Sequence, residues 1–147
     1  MIEQIKDSQK IIAIIVRNNF EKDGISFFTP NDFSQQLAYM NHPKGNIIKP
    51  HVHNPVSRHV LYTKEVLFIK KGQLRVDFYD DDKNYLESRI LNSGDVILLA
   101  GGGHGFEVLQ DIEMFEVKQG PYAGEQDKTR FDGVATSEII LKNKNDE

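Results

Sequence analysis

Three of the five histidines fall between positions 51 and 59. His51 and His53 lie two apart in Ile47–His53, a segment that reads as a strand, so both rings project to one face and can converge on one ion. Imidazole is a good ligand for Zn, Fe, Ni, Cu or Mn, and a carboxylate completes a site for the harder metals. Taken alone, such a pair serves equally well as a solvated surface pair. A further histidine, His104, follows the run Gly101-Gly102-Gly103, and glycine flexibility beside a ligand histidine is the best use of those residues. The run is neither a dinucleotide fingerprint nor a P-loop, since no helix pattern follows and no Gly-Lys-Ser/Thr ends it. No serine sits in a Gly-x-Ser-x-Gly elbow, which argues against a hydrolase triad.

The spacing around these residues adds to the pattern. Gly45 precedes His51 by six positions, and Glu65 precedes Gly72 by seven. Gly94-Asp95 opens a strand that ends in the glycine run, and His104 follows. Over about Gly45 to Val108 the chain resembles the cupin superfamily. Its first motif reads Gly, five residues, His-x-His, a short gap, Glu, six residues, Gly. Its second reads Gly, five residues, Pro-x-Gly, two residues, His. The resemblance implies an all-β double-stranded β-helix, a jelly-roll barrel with one or two short helices. It also implies one divalent transition metal (Zn, Fe, Ni or Mn) held by His51, His53, Glu65 and His104.

The chain departs from the family pattern in places. Eleven residues, Asn54 to Lys64, separate His53 from Glu65, where the family has three or four. Ala100 stands in place of the second motif's Pro, His104 arrives one residue early, and Val108 replaces an Asn. The insert leaves Glu65 either retained on its strand, with a loop over the barrel mouth, or displaced; the Glu65-to-Gly72 spacing favours retention.

Other side chains are candidates for acid/base work or recognition. His59 lies in the insert and reads as a lid or substrate residue. Arg58 beside it could form a bidentate pair with a carboxylate or phosphate, or be a solvated loop charge. Glu116 shares a strand face with Met114 and Lys118, so it either reaches the lumen as an acid/base group or pairs with Lys118 at the surface. Tyr39 and Tyr122 are candidate mouth residues, and His42 beside Pro43 reads as solvated surface. Leu74, Val76 and Phe78 make an apolar face, which puts Arg75, Asp77 and Tyr79 on the exterior.

Positioning these groups falls to a series of short strands. Residues 1–10 read as a short helix or a frayed end. Ile11–Val16 and Ile25–Thr29 read as strands, and Asn31 or Asp32 as the cap of one short helix through Met40. From Asn46 onward the signals are almost all β: Ile47–His53, Glu65–Lys70, Gln73–Tyr79, Tyr85–Leu91, Val96–Leu99, His104–Val108 and Glu113–Lys118, with turn residues between. The Glu65 strand is apolar on both faces, which implies cover on both sides. Strands at this spacing indicate a sandwich or small barrel.

The 147 residues fit a single domain over 1–147, with a core at about 45–120 and a charged tail at 142–147 expected to be mobile. Hydrophobic residues at 39% supply a sizeable core. A net charge of −4 with no basic cluster argues against nucleic-acid binding. With no cysteine there is no disulfide, thiolate metal site or cysteine nucleophile. The longest apolar run, Ile11–Val16, is six residues and too short to span a bilayer. Met1 to Lys10 lacks a signal-type apolar region, so a cytoplasmic location is expected, with no membrane partner. Barrels of this kind pair through sheet edges, so a homodimer is expected, with Ile11–Val16 covering a neighbour's edge.

The expected activity is that of a small metalloenzyme acting on a sugar or another small polar or anionic metabolite, by isomerase/epimerase or dioxygenase-type chemistry. The metal would be a Lewis acid, or iron for oxygen chemistry. The alternatives are a non-catalytic small-molecule-binding barrel, or a metal-free sugar-nucleotide isomerase or epimerase using His51 or His53 as base.

Overall fold

In a computed structural model, residues 1–142 are described; the tail at 143–147 lies outside the described residues. The architecture is all-β, a curled antiparallel sheet that forms half a barrel. Strands β1 (Ile2–Asp7), β2 (Lys10–Val16), β3 (Gly24–Phe27) and β4 (Ala38–Asn41) precede a long irregular stretch. Then come β5 (Glu65–Tyr79), β6 (Tyr85–Asn92), β7 (Val96–Leu99) and β8 (Gly103–Lys118). The main sheet runs β1-β2-β7-β5-β6, with β8 along the other side of β5, while β3 and β4 form a separate hairpin.

One ladder organises the molecule. β5 and β8 pair antiparallel from Glu65↔Lys118 to Tyr79↔Gly103, with register shifts between Ile69 and Leu74. Before the shifts β5 pairs β7, and after them it pairs β6, so the ribbon belongs to two differently directed parts of the sheet. The inward phase switches there as well. Glu65, Leu67 and Ile69 are buried on the first arm, then Leu74, Val76 and Phe78 on the second. The apolar ones among these join Ile5, Ile12, Ile15, Leu91, Ile97 and Leu99 in one core. Closing that core on small apolar side chains contributes on the order of 25 cal/mol per Å² buried.

A second fastening ties the β1 end to β7. Arg17 donates from Nε and Nη2 to the Glu3 carboxylate, at 2.7 and 3.0 Å, and from Nη1 to Asp95 Oδ2 at 2.9 Å. Asp95 also accepts the backbone N–H groups of Asn18 and Asn92. Burial removes competing water from these bonds, so losing any one partner would leave an uncompensated buried charge.

Several expectations are corrected. Residues 2–7 form an edge strand instead of a helix, because Ile5 fills the core and Glu3 meets Arg17. No helix forms after Asp32; the segment turns, with Gln36 Nε2 donating to the carbonyls of Pro30 and Phe33, and then enters β4. The only helical turns among the described residues are short 3-10 turns at Gly124–Asp127 and Thr136–Glu138. Ile47–His53 is not a strand: it makes no ladder and lies in solvent. The four strands expected at 65–79 and 104–118 are two long ones, bent and not broken at Lys71-Gly72 and Gln110-Asp111. The Glu65 strand is not covered on both sides, since Phe68 is 40% exposed.

The expected exterior face of β5 is buried too. The chain from Lys128 to Lys142 runs across it: Ser88 N–H donates to Ile140 O, Lys142 N–H to Ser88 O, and Val134 N–H to Tyr79 Oη. Under that cover Asp77 accepts from Ser88 and Arg75. No helix among the described residues is long and apolar enough to cross a membrane.

Candidate functional site

Glu65 opens β5 and His104 is the second residue of β8. In the ladder Glu65 pairs Lys118, whereas His104 pairs Phe78, 13 residues further along β5. On a straight strand that offset would separate the two by roughly 43 Å, at about 3.3 Å per residue. Instead, Glu65 Oε2 lies 3.1 Å from His104 Nε2. The ribbon folds over at Gly72, and its two ends meet.

The folding also explains two glycines. Gly72 has φ +88°, and a Cβ there would lie 2.1 Å from Asp111 O. Gly102 has φ +65°, and a Cβ there would lie 2.4 Å from Tyr79 O. Both positions require the left-handed region and a close backbone approach, which glycine alone supplies without strain.

The pair faces a cavity of about 1080 Å³ between the half-barrel and the chain after β8. Glu65 is buried, while the His104 side chain is 29% exposed toward the opening. Donation from His104 holds the Glu65 carboxyl below the usual carboxylate range, with further help from the charges of His104, Lys118 and Lys128, against the opposing effect of burial. Glu65 is therefore an anion at neutral pH. Lys118 Nζ stands 3.9 Å from its other oxygen. If Nε2 carries the donated proton, Nδ1 of His104 is left as a proton acceptor.

The rest of the lining suits a polar, partly flat molecule. Lys64 and Lys128 supply cationic heads, and Phe33, Tyr62 and Phe131 supply aromatic faces. Lys64 Nζ lies 5.0 Å from the centre of the Phe33 ring and 3.1 Å from Ser34 Oγ. Asp32, Asp81 and Asp127 line the same cavity, so its walls mix both signs of charge with aromatic faces, as suits a polar ligand.

The other expected site residues lie elsewhere. His51 and His53 sit together, ring centres 5.2 Å apart, on the exposed irregular stretch and away from the cavity lining. Arg58 and His59 occupy the same exposed stretch. Among the described residues no three His, Asp or Glu side chains form a metal-sized cluster. The structure thus unites Glu65 with His104 and leaves the His51–His53 pair apart. Glu116 shares the inward face of the ladder with Leu67, its cross-strand partner, yet stays in solvent, 3.9 Å from Lys118 Nζ. It does not line the cavity. Tyr39 is packed edge-on to Phe20 in the β3–β4 hairpin, and Tyr122 is exposed; neither lines the cavity.

Sequence reasoning missed Lys64, Lys128 and Phe131. Lys64 is marked only by its position next to Glu65. Lys128 and Phe131 fall after the last strand, in a stretch with no periodicity to flag them.

No protein-family model matches the chain, no curated protein matches it, and no solved structure matches it.

Proposed function

We propose that the chain is a cupin-type metalloenzyme. It acts on a sugar or another small polar or anionic metabolite by isomerase/epimerase or dioxygenase-type chemistry. The observation that carries this reading is the meeting of an ionised carboxylate and an imidazole from opposite ends of one ladder, at the wall of a cavity large enough for a metabolite. Glu65 and His104 are two donors of the types a divalent ion takes, and they would hold it only with the imidazoles of His51 and His53, whose segment lies apart from the cavity. When bound, such an ion supplies Lewis-acid polarisation of a substrate oxygen, or oxygen chemistry if it is iron. Lys64 and Lys128, with Asp32 and Asp127 beside them, would orient polar groups of the substrate, and the aromatic faces would stack on its apolar side.

The test is thermal stability of chelator-stripped protein with and without added Zn, Mn, Ni or Fe(II). A metal at one hundred times its dissociation constant stabilises by about 2.7 kcal/mol, an increase of roughly 8 °C in Tm for a domain of this size. That increase, abolished in Glu65→Gln, supports the reading; no increase with any of the four ions overturns it.

A second reading is favoured by the direct contact itself. Glu65 orients His104 as a base, and the barrel works without metal on a substrate with an acidic C–H. Loss of turnover in His104→Gln with metal-independent activity in the native chain would select it over the first. A non-catalytic binding barrel remains the reading if ligand binding occurs without turnover.

A further inference from the structure

The chain after β8 is one wall of the cavity. Lys128, Thr129, Phe131 and Gly133 line it. The Phe131 ring lies against the turn that carries His104, since a Cβ on Gly103 would sit 3.1 Å from its Cζ. Moving this segment therefore opens the cavity beside the Glu65–His104 pair. What the segment buries is small. From Glu125 to Lys142 every residue is exposed except Val134 and Ile139, which are half-buried, and none belongs to the hydrophobic core.

The sheet surface under the segment is paired with itself. Asp77 accepts from Arg75 Nε at 2.8 Å, from Arg75 Nη2 at 3.1 Å and from Ser88 Oγ. Tyr79 has a second edge-on neighbour in Tyr85, ring centres 5.7 Å apart. Lifting the segment thus returns to water polar groups that keep their partners. The attachments are also unequal along its length. Four hydrogen bonds crowd onto Ile140 and Lys142: Ser88 N–H to Ile140 O, Ile140 N–H to Tyr85 Oη, Lys142 N–H to Ser88 O and Arg89 Nη1 to Lys142 O. Between Thr129 and Ile139, among the described residues, no backbone–backbone hydrogen bond reaches another segment. That stretch is held by Val134 N–H to Tyr79 Oη at 2.9 Å and, at its near end, by Thr63 Oγ1 to Asp127 Oδ1. Few buried apolar contacts and single clasps are the marks of a unit that opens before the whole domain unfolds.

We propose that residues 127–139 are a lid. They lift from β5 as one unit, turning on the Ile140–Lys142 anchor, and open the cavity while the half-barrel stays folded. The Thr63–Asp127 and Tyr79–Val134 hydrogen bonds are its two clasps, and Phe131 is its seat against Tyr79 and Gly103. Gly103 has a role in this device, because a side chain there would push against Phe131 and Tyr79. The lid stands whether Glu65 and His104 hold a metal or act as an acid/base pair.

The test reads amide exchange at Val134 in the native chain and in Thr63→Val, which removes the clasp at the other end of the lid. In the native chain Val134 is expected to exchange at least about tenfold faster than the most protected amides of β5, through an opening short of global unfolding. Thr63→Val should accelerate it about fivefold further, the factor that one net hydrogen bond is worth. Exchange at Val134 no faster than in β5 means that the segment moves only when the domain unfolds, and overturns the proposal. Exchange that ignores Thr63→Val means that Val134 opens by itself, and overturns the lid as a unit.

Access to the cavity is read separately. Because the chain has no cysteine, Gly105→Cys puts a single thiol in the cavity wall, at a position where a Cβ meets nothing within 4 Å. Its labelling by fluorescein maleimide should rise on adding Thr63→Val by the same factor as exchange at Val134. Equal labelling with and without Thr63→Val would show that the cavity is open without the lid's movement, and overturns its role as a gate.

Discussion

The carbonyl oxygen of Asp111 stands 2.1 Å from where a Cβ on residue 72 would lie, so Gly72 in β5 and Asp111 in β8 touch backbone to backbone. The contact sits where both strands bend, on the path that returns His104 to Glu65. Gly72→Ala combines a left-handed backbone with a clash that no flexible side chain can relieve. The expected loss is about 3 kcal/mol, from roughly 1–2 for the backbone and 1–3 for the overpacking. Urea unfolding measures it, and a variant within 0.5 kcal/mol of native, on the order of an ordinary surface change, would show that the bend does not need glycine.

Asp95 is expected to matter for stability alone. It is 2% exposed, and its carboxylate accepts from Arg17 and from the N–H groups of Asn18 and Asn92. Asp95→Ala leaves these donors without their acceptor, at a cost of about 3–5 kcal/mol. Arg17 keeps Glu3, which places the value toward the lower end. Denaturant midpoints decide it, and a loss below about 1 kcal/mol would contradict the buried network.

The Asp80 turn gives a pH signature. Asp80 accepts from the side chain and N–H of Asn84 and from the N–H of Asp82, which lowers its pKa below the ordinary 3.8. A carboxylate whose folded pKa is depressed contributes stability above its unfolded pKa, and loses it as pH falls through the folded value. Asp80→Asn should therefore melt lower than native at pH 7, with the difference shrinking below pH 4. A gap that stays constant from pH 7 to pH 3 would contradict the charge-based account.

The β5–β6 face tests the cover laid down by the C-terminal segment. Tyr79 Oη accepts from Val134 N–H, and its ring stands edge-on to Phe131, centres 5.0 Å apart. Phe131→Ala removes that contact at the cavity wall. A loss of roughly 1–2 kcal/mol is expected, below the full core value because Phe131 is itself 36% exposed. Amide exchange at Val134 should accelerate in parallel, and unchanged exchange would separate the segment from the sheet.

Much of the fold was legible because the strands alternate. Val96–Leu99 is found as read, and the apolar set Leu74, Val76 and Phe78 is the inward face. The misreadings have physical causes. Asn31 and Asp32 resemble a helix cap, but Gln36 satisfies the Pro30 and Phe33 carbonyls and turns the chain instead. Asp77 and Tyr79 alternate as an exterior face should, yet a segment with no periodicity covers them.

At the candidate site, Glu65 and His104 are singled out by their spacing to glycines that shape the bend and the turn, and the structure brings these two side chains together. His51 and His53 were legible as a pair. Their position was not, because a strand needs a partner edge, and among the described residues the segment has none.

The most direct test of the site is elemental analysis of native protein purified without chelators, beside His104→Ala. The account expects close to one transition-metal ion per chain in the native protein and less than about a tenth of that in the variant, the tenfold loss being near 1.4 kcal/mol or more of binding. Equal metal in both, or none in the native protein after reconstitution with zinc, manganese, nickel and iron, would contradict it.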